Sequence, residues 1–234
     1  MSLQEIRTIM AKCKKTGKRS LSDREVKKIL SYYNIPTVRE RVAKTADEAV
    51  KLSKSIGYPV VLKIISPDIS HKTEVQAVKL NLRSPTEVKK ACPDLLAKAQ
   101  IYKQDVKVEG YLIQEMVEDG IETIVGLHTD PTFGPVVMFG LGGVWVELLK
   151  DVSFRAIPIE RLDAMDMVEE IKGSRLFKGL RGKPPVDLEG IYAILLSVSR
   201  LGMELREITE MDLNPVFLRE KGAVVADSRV LISD

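Results

Sequence analysis

The sequence predicts an α+β fold built from two units, with helices that carry clear start signals and strands that follow one another closely. Three helix starts have a capping box, in which Ser or Thr is followed three residues later by Glu; they begin at Ser22, Thr45 and Ser84. Several aliphatic and β-branched runs are separated only by short turns, which is typical of antiparallel strands. With 234 residues and 44% hydrophobic side chains, the chain can form one large domain or two small ones.

The first unit should cover residues 1–107. Its first capped helix is expected to end near Tyr33, and the second is expected to stop at Gly57, because glycine favours the backbone conformation that follows a helix. Residues 58–65 and 75–82 are predicted strands on either side of a loop. The helix that begins at Ser84 closes this unit.

The second unit should cover residues 108–234. Short turns at 118–120 and 130–131 predict that the strands they join pair antiparallel. The predicted strands are 111–117, 121–129 and 135–139, and the predicted helices are 159–171 and 186–201. The last helix has an apolar stripe at helical spacing, and a long Gly- and Pro-rich loop over 173–185 precedes it.

Composition excludes several classes of protein. The charge is nearly balanced, with 36 basic and 33 acidic residues, so we expect no nucleic-acid partner. The short basic run from Lys12 to Arg19 is interpreted as a solvated N-terminal segment. Cys13 and Cys92 lack metal-type spacing and should be free thiols. No apolar run has the length of a membrane span, so we expect no membrane association and a cytoplasmic location.

The end of the chain predicts a metal site. Residues 216–218 and 223–226 form a predicted hairpin around a turn at Glu220-Lys221, which sets Asn214 opposite Asp227. Asp212 lies two residues before Asn214 and so points to the same face. Oxygen ligands of this kind suit Mg²⁺. The alternative is a solvated outer face of an edge hairpin.

Lys63 and His71 are two further candidates. Lys63 is the only charge in an apolar predicted strand, where it should meet either an anion or, as an edge-strand lysine, extend outward to water. His71 lies in a loop of hydroxyl and charged residues. It can act as base, ligand or nucleophile toward phosphate, or it can be an ordinary surface residue.

A nucleotide base and sugar have weaker signals. Residues 114–117 end a predicted strand, and an adenine needs only an apolar slot with a backbone N–H and C=O pair. Glu122 follows the next turn and could accept ribose hydroxyls. The run Gly140-Leu141-Gly142-Gly143 could let backbone N–H groups approach phosphate, although it has neither the Walker nor the Rossmann pattern.

Together these residues resemble the ATP-grasp superfamily, in which two α+β units hold a nucleotide between them. The chain is most similar to the nucleotide-binding β subunit of ADP-forming acyl-CoA (acetyl-CoA) synthetases, relatives of succinyl-CoA synthetase. The resemblance extends over nearly the whole chain. Its most specific stretches are 57–63 with 70–74, then 139–143, then Asp212-Leu213-Asn214-Pro215.

The resemblance implies a role for each candidate residue. It assigns phosphate binding to Lys63, the adenine hinge to Glu115, Met116 and Val117, the ribose to Glu122, and magnesium to Asn214 and Asp227. His71 matches the histidine that the acetate-type enzymes phosphorylate on this subunit. Asp212, where many relatives have Glu, would orient His71.

The implied reaction converts acyl-CoA, ADP and phosphate reversibly into acid, CoA and ATP. This chain would carry out the nucleotide half with Mg²⁺ and ADP or ATP. A CoA-binding α subunit on a separate chain, in an α2β2 assembly, would form the acyl phosphate and select the acyl group. The α subunit's own histidine would take the phosphoryl group first, and His71 would carry it to ADP.

Two other functions stay open from the sequence. An ATP-grasp carboxylate ligase would make an acyl phosphate in its own cleft and would not need His71. A non-catalytic nucleotide-sensing domain, like those fused to some protein acetyltransferases, would need no phosphoryl transfer and therefore neither His71 nor the magnesium pair.

Overall fold

The computed structural model describes residues 1–69, 75, 77–143, 151–179, 182 and 184–233. It divides into a small unit, Val38–Glu118, and a large unit made of Met1–Thr37 and Asp119–Asp234. In the described residues the helices are α1 (Leu3–Lys15), α2 (Asp23–Tyr32), α3 (Ala46–Ile56), α4 (Pro85–Tyr102), α5 (Arg161–Glu170) and α6 (Leu188–Glu204). A 3₁₀ helix spans Lys172–Lys178.

The strands fall into two sheets. They are β1 (Glu40–Ala43), β2 (Val60–Ile65), β3 (Val78–Leu82), β4 (Gly110–Glu115), β5 (Ile121–Asp130), β6 (Gly134–Leu141), β7 (Val152–Ala156), β8 (Ile208–Leu218), β9 (Ala223–Val225) and β10 (Ser228–Ile232). Over the described ranges, one sheet has the order β1-β4-β2-β3, and the other has the order β10-β8-β5-β6-β7 with β9 added to β8.

The small sheet is antiparallel and buries one face against α3 and α4. Val60, Leu62 and Ile64 of β2 belong to this core together with residues of both helices. Since side chains alternate along a strand, Val61 and Lys63 lie on the opposite face. The period of two therefore separates the packing residues of β2 from its one charged residue.

The large sheet is also antiparallel, and its helices pack on one face. Residues of α1, α2, α5 and α6 share a core with Met211, Leu213, Val216 and Leu218 of β8. The spacing between these buried positions changes at Asn214-Pro215 because β8 has a bulge there. Thr123 of β5 pairs with Val216, and Val125 pairs with Leu213, so two residues of β8 lie opposite one residue of β5.

The capped helices are confirmed. Ser22, Thr45 and Ser84 are the N-cap residues of α2, α3 and α4. Gly57 ends α3 with φ of 98° and donates its N–H to the Ser53 carbonyl at 3.0 Å. The predicted stripe on α6 is also confirmed, because Ile191, Leu195 and Val198 are buried and Leu188 packs against them.

The predicted pairing of the first two strands of the second unit is wrong, although that of the next two, β5 and β6, is confirmed. β4 pairs with β1 and β2 in the small sheet, whereas β5 pairs with β6 and β8 in the large one. The short turn between β4 and β5 is thus a crossing between units. For the same reason the structure divides the chain after Glu118, and not at the predicted boundary between residues 107 and 108, and it adds Met1–Thr37 to the large unit.

Five elements of the described structure were not predicted: α1, the 3₁₀ helix in the stretch expected to be a loop, β1, β7 and β10. The basic run from Lys12 belongs partly to α1, whose capping box joins Ser2 and Glu5 and whose Ile6 and Met10 are buried. The run itself is solvated as predicted, since most of its basic residues are exposed, but its helical part was not predicted. Strands β1, β7 and β10 are only four or five residues long. Such short strands gain most of their stability from sheet neighbours that are distant in sequence, which a local pattern does not report.

Helix α6 approaches the β8–β9 hairpin so closely that a side chain at Gly190 would clash with rigid backbone. A Cβ there would lie 2.6 Å from the Ala223 nitrogen, whereas the atoms nearest a Cβ at Gly202 of the same helix are the side-chain ends of Ile157 and Leu127. We expect Gly190→Ala to lower the free energy of unfolding by about 1–3 kcal/mol, the usual cost of overpacking. Chemical denaturation measures it.

Gly202→Ala is the matched control, because both changes add one methyl group to the same helix and gain the same helix propensity, about 1 kcal/mol. Its neighbours are flexible chain ends that can move aside, so its loss should be clearly smaller. Equal stability of the two variants would contradict the close packing of α6 on the hairpin.

Candidate nucleotide site

The predicted opposition of Asn214 and Asp227 is confirmed. The Asn214 N–H donates to the Asp227 carbonyl at 3.1 Å, and the Ala226 N–H donates to the Pro215 carbonyl at 3.0 Å. Asp212 and Asn214 alternate with buried Met211 and Leu213, so they lie on the sheet face away from the helices. The strand register thus brings three oxygen-bearing side chains to one corner of the large unit.

The electrostatics of this corner favour a cation. Burial raises the pKa of the Asp212 carboxyl above its ordinary value, and the Glu210 and Asp227 carboxylates raise it further. Arg229, the β10 partner of Asp212, acts in the opposite direction and lowers that pKa. Negative charge is therefore crowded here beyond what the one arginine offsets.

The donor set fits magnesium, which does not need a closed protein cage. Among the residues that the structure describes, no group of three or more His, Cys, Asp or Glu side chains has a metal-binding arrangement. Magnesium usually takes only one or two carboxylates and completes its shell with water and substrate phosphates. One amide oxygen from Asn214 and one carboxylate from Asp227 satisfy that need.

Glu122 lies on the same sheet face as this corner. It belongs to β5, in which Gly126 is the direct partner of Asp212, and two-residue steps lead from Gly126 through Ile124 to Glu122. The Glu122 side chain is exposed. It is therefore available to accept hydrogen bonds from a ligand on this face.

The glycine run next to Glu122 serves close packing. The Gly142 N–H donates to the Glu122 carbonyl at 2.8 Å, so it is used within the protein and not by a phosphate. A Cβ on Gly142 would lie 3.1 Å from backbone atoms of Glu122 and Thr123, and one on Gly143 would lie 3.0 Å from the Glu122 carboxylate. The phosphate-loop interpretation is therefore wrong for the Gly142 amide.

Lys63 is buried in the interior of the small sheet. Its strand β2 lies between β4 and β3, where Leu112 and Val78 are its direct partners. Only 6% of the residue is exposed. The edge-strand alternative is therefore wrong. A buried ammonium is tolerated only beside oxygen acceptors or anions, so this position suits a lysine that binds phosphate.

The predicted hinge residues leave β4 through an irregular ladder. The Glu115 N–H donates to the Arg39 carbonyl at 2.9 Å, and the Met116 N–H donates to the Pro59 carbonyl at 3.2 Å. The Glu115 carboxylate accepts the Arg39 N–H at 2.9 Å and also the Arg39 Nε–H. Met116 contributes a second contact, since its Sδ accepts the Asn81 N–H at 3.2 Å.

His71 lies outside the described residues, but the chain that leads to it is held firmly. The Asp68 carboxylate accepts the Lys107 N–H at 2.7 Å and forms an ion pair with Lys103. The Lys103 hydrogen bond is the main reason that the pKa of Asp68 lies below its usual value. Ile69 is buried in the small-unit core, so the backbone is anchored up to that residue.

Each unit thus contributes its own set of candidates. The large unit brings Asp212, Asn214, Asp227 and Glu122 to one sheet face, and the small unit holds Lys63 and the residues that were predicted to form the hinge. Sequence reasoning missed Arg39, Pro59, Glu210 and Arg229. The alternation of side chains along a strand could have identified Glu210, two residues before Asp212, and Arg229, two residues after Asp227. For Arg39 no local signal exists, since its partner is 76 residues away.

Comparisons with known proteins identify the family of the chain. A family model described as the ATP-grasp domain matches residues 12–232. The β subunit of acetate–CoA ligase [ADP-forming] II from Pyrococcus furiosus is 46% identical over 219 residues, which covers 92% of this chain and 93% of that protein. A related ligase from Archaeoglobus fulgidus is 46% identical, and there the matching part makes up 30% of a longer chain.

Solved structures give the same result. Acetyl-coenzyme A synthetase 1 of Ca. Korarchaeum cryptofilum, in complex with coenzyme A and Ca-AMPCP, superposes with a TM-score of 0.93 and 47% identity over 97% of this chain and 99% of that one. Its form with coenzyme A and Mg-AMPPCP has a phosphohistidine segment pointing towards the nucleotide-binding site; the TM-score is 0.84 and the identity 45%, over 97% and 100% of the two chains.

The described part of the chain contains no helix with the length and apolarity needed to cross a membrane. The family model and the Pyrococcus furiosus relative match the chain over almost its whole sequence. The chain therefore belongs to the ATP-grasp family, and within it to the β subunits of ADP-forming acetate–CoA ligases.

Proposed function

We propose that this chain is the nucleotide-binding β subunit of an ADP-forming acyl-CoA synthetase, which converts acyl-CoA, ADP and phosphate reversibly into acid, CoA and ATP. The observation that carries the proposal is the 46% identity to such a β subunit over more than nine-tenths of both proteins. The site residues support it, since they are of the types that nucleotide phosphates require and stand where strand register holds them.

The protein's own residues would bind and align the nucleotide. Lys63 would contact the phosphates, since a buried ammonium gives a strong, charge-assisted hydrogen bond. The backbone of Glu115, Met116 and Val117 would hold the adenine, and Glu122 would accept the ribose hydroxyls. Phosphoryl transfer depends mainly on such alignment and on neutralising charge.

Magnesium would be held by the Asn214 amide oxygen and the Asp227 carboxylate, with water and phosphate oxygens as the other ligands. Bound there, it would neutralise phosphate charge. The crowded carboxylates around Asp212 support this assignment, because a divalent cation would relieve their mutual repulsion. Asp212 itself would orient the imidazole of His71 and stabilise its cationic state, as carboxylates do for catalytic histidines.

His71 would carry the phosphoryl group. A neutral imidazole nitrogen attacks the phosphorus, the phosphorus–nitrogen bond to the donor imidazole breaks, and the resulting phosphohistidine passes the group to the terminal oxygen of ADP. The donor would be a histidine of a CoA-binding α subunit on a separate chain, in an α2β2 assembly. The phosphohistidine segment of the Korarchaeum relative supports this route over a carboxylate ligase or a sensor domain, neither of which needs His71.

The relay predicts a separation of steps. In the assembled complex, His71→Ala should keep ADP binding and phosphorylation of the α subunit, and should lose transfer to ADP, because the carrier nitrogen is missing. Asp212→Ala should slow transfer less, because it removes only an orienting group. The measurement follows labelled phosphate on each subunit under conditions that preserve phosphohistidine. Normal ATP formation by the His71→Ala complex would exclude the relay.

Lys63→Met keeps the apolar stem and removes the charge. Losing a charge-assisted hydrogen bond costs about 1.5–3 kcal/mol, so the affinity for ADP should fall about tenfold to a hundredfold. Calorimetric titration of the isolated chain measures it. Lys79→Met on the neighbouring strand is the matched control, because Lys79 pairs with Asp94 at 2.6 Å. Unchanged affinity in Lys63→Met would contradict a phosphate role.

Asp227→Ala tests the magnesium pair. The fold should persist, since the backbone carbonyl that accepts the Asn214 N–H is retained. Nucleotide affinity should lose most of its dependence on magnesium. Glu220→Ala, which removes an exposed carboxylate from the turn of the same hairpin, should behave like the wild type. The comparison uses titrations with ADP in magnesium and in chelator. A variant that retains the full magnesium effect would rule out this ligand.

A further inference from the structure

The backbone of Glu122 is held from two sides. On one side, Phe217 of β8 is its direct strand partner. On the other side, just beyond the end of β6, the Gly142 N–H donates to the Glu122 carbonyl at 2.8 Å. The next residue is tied as well, since the buried Thr123 hydroxyl donates to the Val216 carbonyl at 2.8 Å. The side chain of Glu122 therefore starts from a fixed point on the sheet face away from the helices.

The Glu122 carboxylate has no polar partner of its own. In the part of the chain that the structure describes, it forms neither a hydrogen bond nor an ion pair. The Glu115 and Glu118 carboxylates differ from it, because Arg39 and Arg83 hold them. A long side chain without such partners has several staggered conformations open to it. The direction of the Glu122 carboxylate therefore depends on the shape of its surroundings.

Gly143 provides the space in which the Glu122 carboxylate lies. A Cβ on Gly143 would be 3.0 Å from Glu122 Oε2, closer than an ordinary van der Waals contact. The φ of 62° at Gly143 favours glycine by itself. Gly134 has a similar φ of 74°, yet nothing lies within 4 Å of the position of its Cβ. A left-handed glycine of this sheet is thus not covered by a side chain as a rule.

We propose that Gly143 is a positioning residue for the recognition of ribose. Its bare Cα lets the Glu122 carboxylate lie over the end of β6 with its two oxygens available to accept the ribose hydroxyls. A side chain at this position would push the carboxylate away. Binding groups have to be held within about 0.5 Å of their productive geometry, so a contact this close affects the binding of ribose. The inference rests on the proposed function, from which it takes the contact between Glu122 and the ribose.

The test measures how strongly the site prefers a sugar that has its hydroxyls. Dissociation constants for ADP and for 2′,3′-dideoxy-ADP are measured by calorimetry on the full chain with magnesium. The wild type should prefer ADP by about tenfold to a hundredfold, the range for a hydrogen bond to a charged group. In Gly143→Asn this ratio should approach about one. Asparagine tolerates the left-handed backbone, and its amide takes the space of the carboxylate.

Gly134→Asn is the matched control. It makes the same change at another left-handed glycine of the same sheet, where the surrounding space is open, so it should keep the wild-type ratio. Glu122→Ala removes the carboxylate and should lose the preference. Adding Gly143→Asn to Glu122→Ala should change the ratio no further, because both substitutions act through the same carboxylate.

Glu122→Asp tests the same contact without any change at Gly143, in case Gly143→Asn does not fold. Glu122 is exposed, so its replacement should leave the fold intact. Aspartate keeps the charge but is one methylene shorter, so the carboxylate no longer reaches over Gly143. The preference for ADP should be lost as it is in Gly143→Asn.

An unchanged ratio in folded Gly143→Asn or in Glu122→Asp overturns the inference. So does an equal loss in Gly134→Asn, or a further loss when Gly143→Asn is added to Glu122→Ala. Equal binding of the two nucleotides by the wild type overturns it as well, while ADP binding leaves the proposed function standing. Failure of the wild type to bind any adenine nucleotide overturns both proposals.

Discussion

The register of β8 is the constraint on which the candidate site depends. This strand lies inside the large sheet, with β5 on one side and β9 and β10 on the other. Its buried residues pack against the helices, and its polar residues Asp212 and Asn214 belong to the candidate magnesium site. A shift of one residue would bury Asp212 and Asn214 and expose Met211 and Leu213. The burial of apolar side chains on one face of β8 therefore fixes the positions of the polar groups on its other face.

The bulge at Asn214-Pro215 lets β8 keep its apolar side chains on the core while the chain turns into the β8–β9 hairpin. Just before it, Met211 and Leu213 face the core; after it, Val216 and Leu218 do. The bulge thus resets the alternation where the chain turns into the β8–β9 hairpin. Bulges of this kind often stand beside functional sites because they redirect side chains without ending the strand. Here the bulge holds Asn214 against Asp227 while the packing continues on both sides.

The same division between a packed face and a polar face recurs in the small unit. Helices α3 and α4 cover the face of β2 that carries Val60 and Leu62, and the other face carries Lys63. At the end of β4 the ladder lacks two donors. The Arg39 N–H donates to the Glu115 carboxylate, and Pro59 has no N–H. Each unit therefore supports its candidate groups on a rigid sheet, which limits the motion of the groups that would align a nucleotide.

Local sequence determined the helices with capping boxes, the stop at Gly57, the apolar stripe of α6 and the opposition of Asn214 and Asp227, because each depends on residues close in the chain. The resemblance of short motifs determined the family. Only the tertiary structure decided that β4 and β5 belong to different sheets, that Lys63 is interior, and that Gly142 serves backbone packing. It also decided that Arg39 meets Glu115 and that Arg229 and Glu210 set the charge around Asp212. These features depend on pairings between distant segments, and their free energy comes from neighbours that no local pattern specifies.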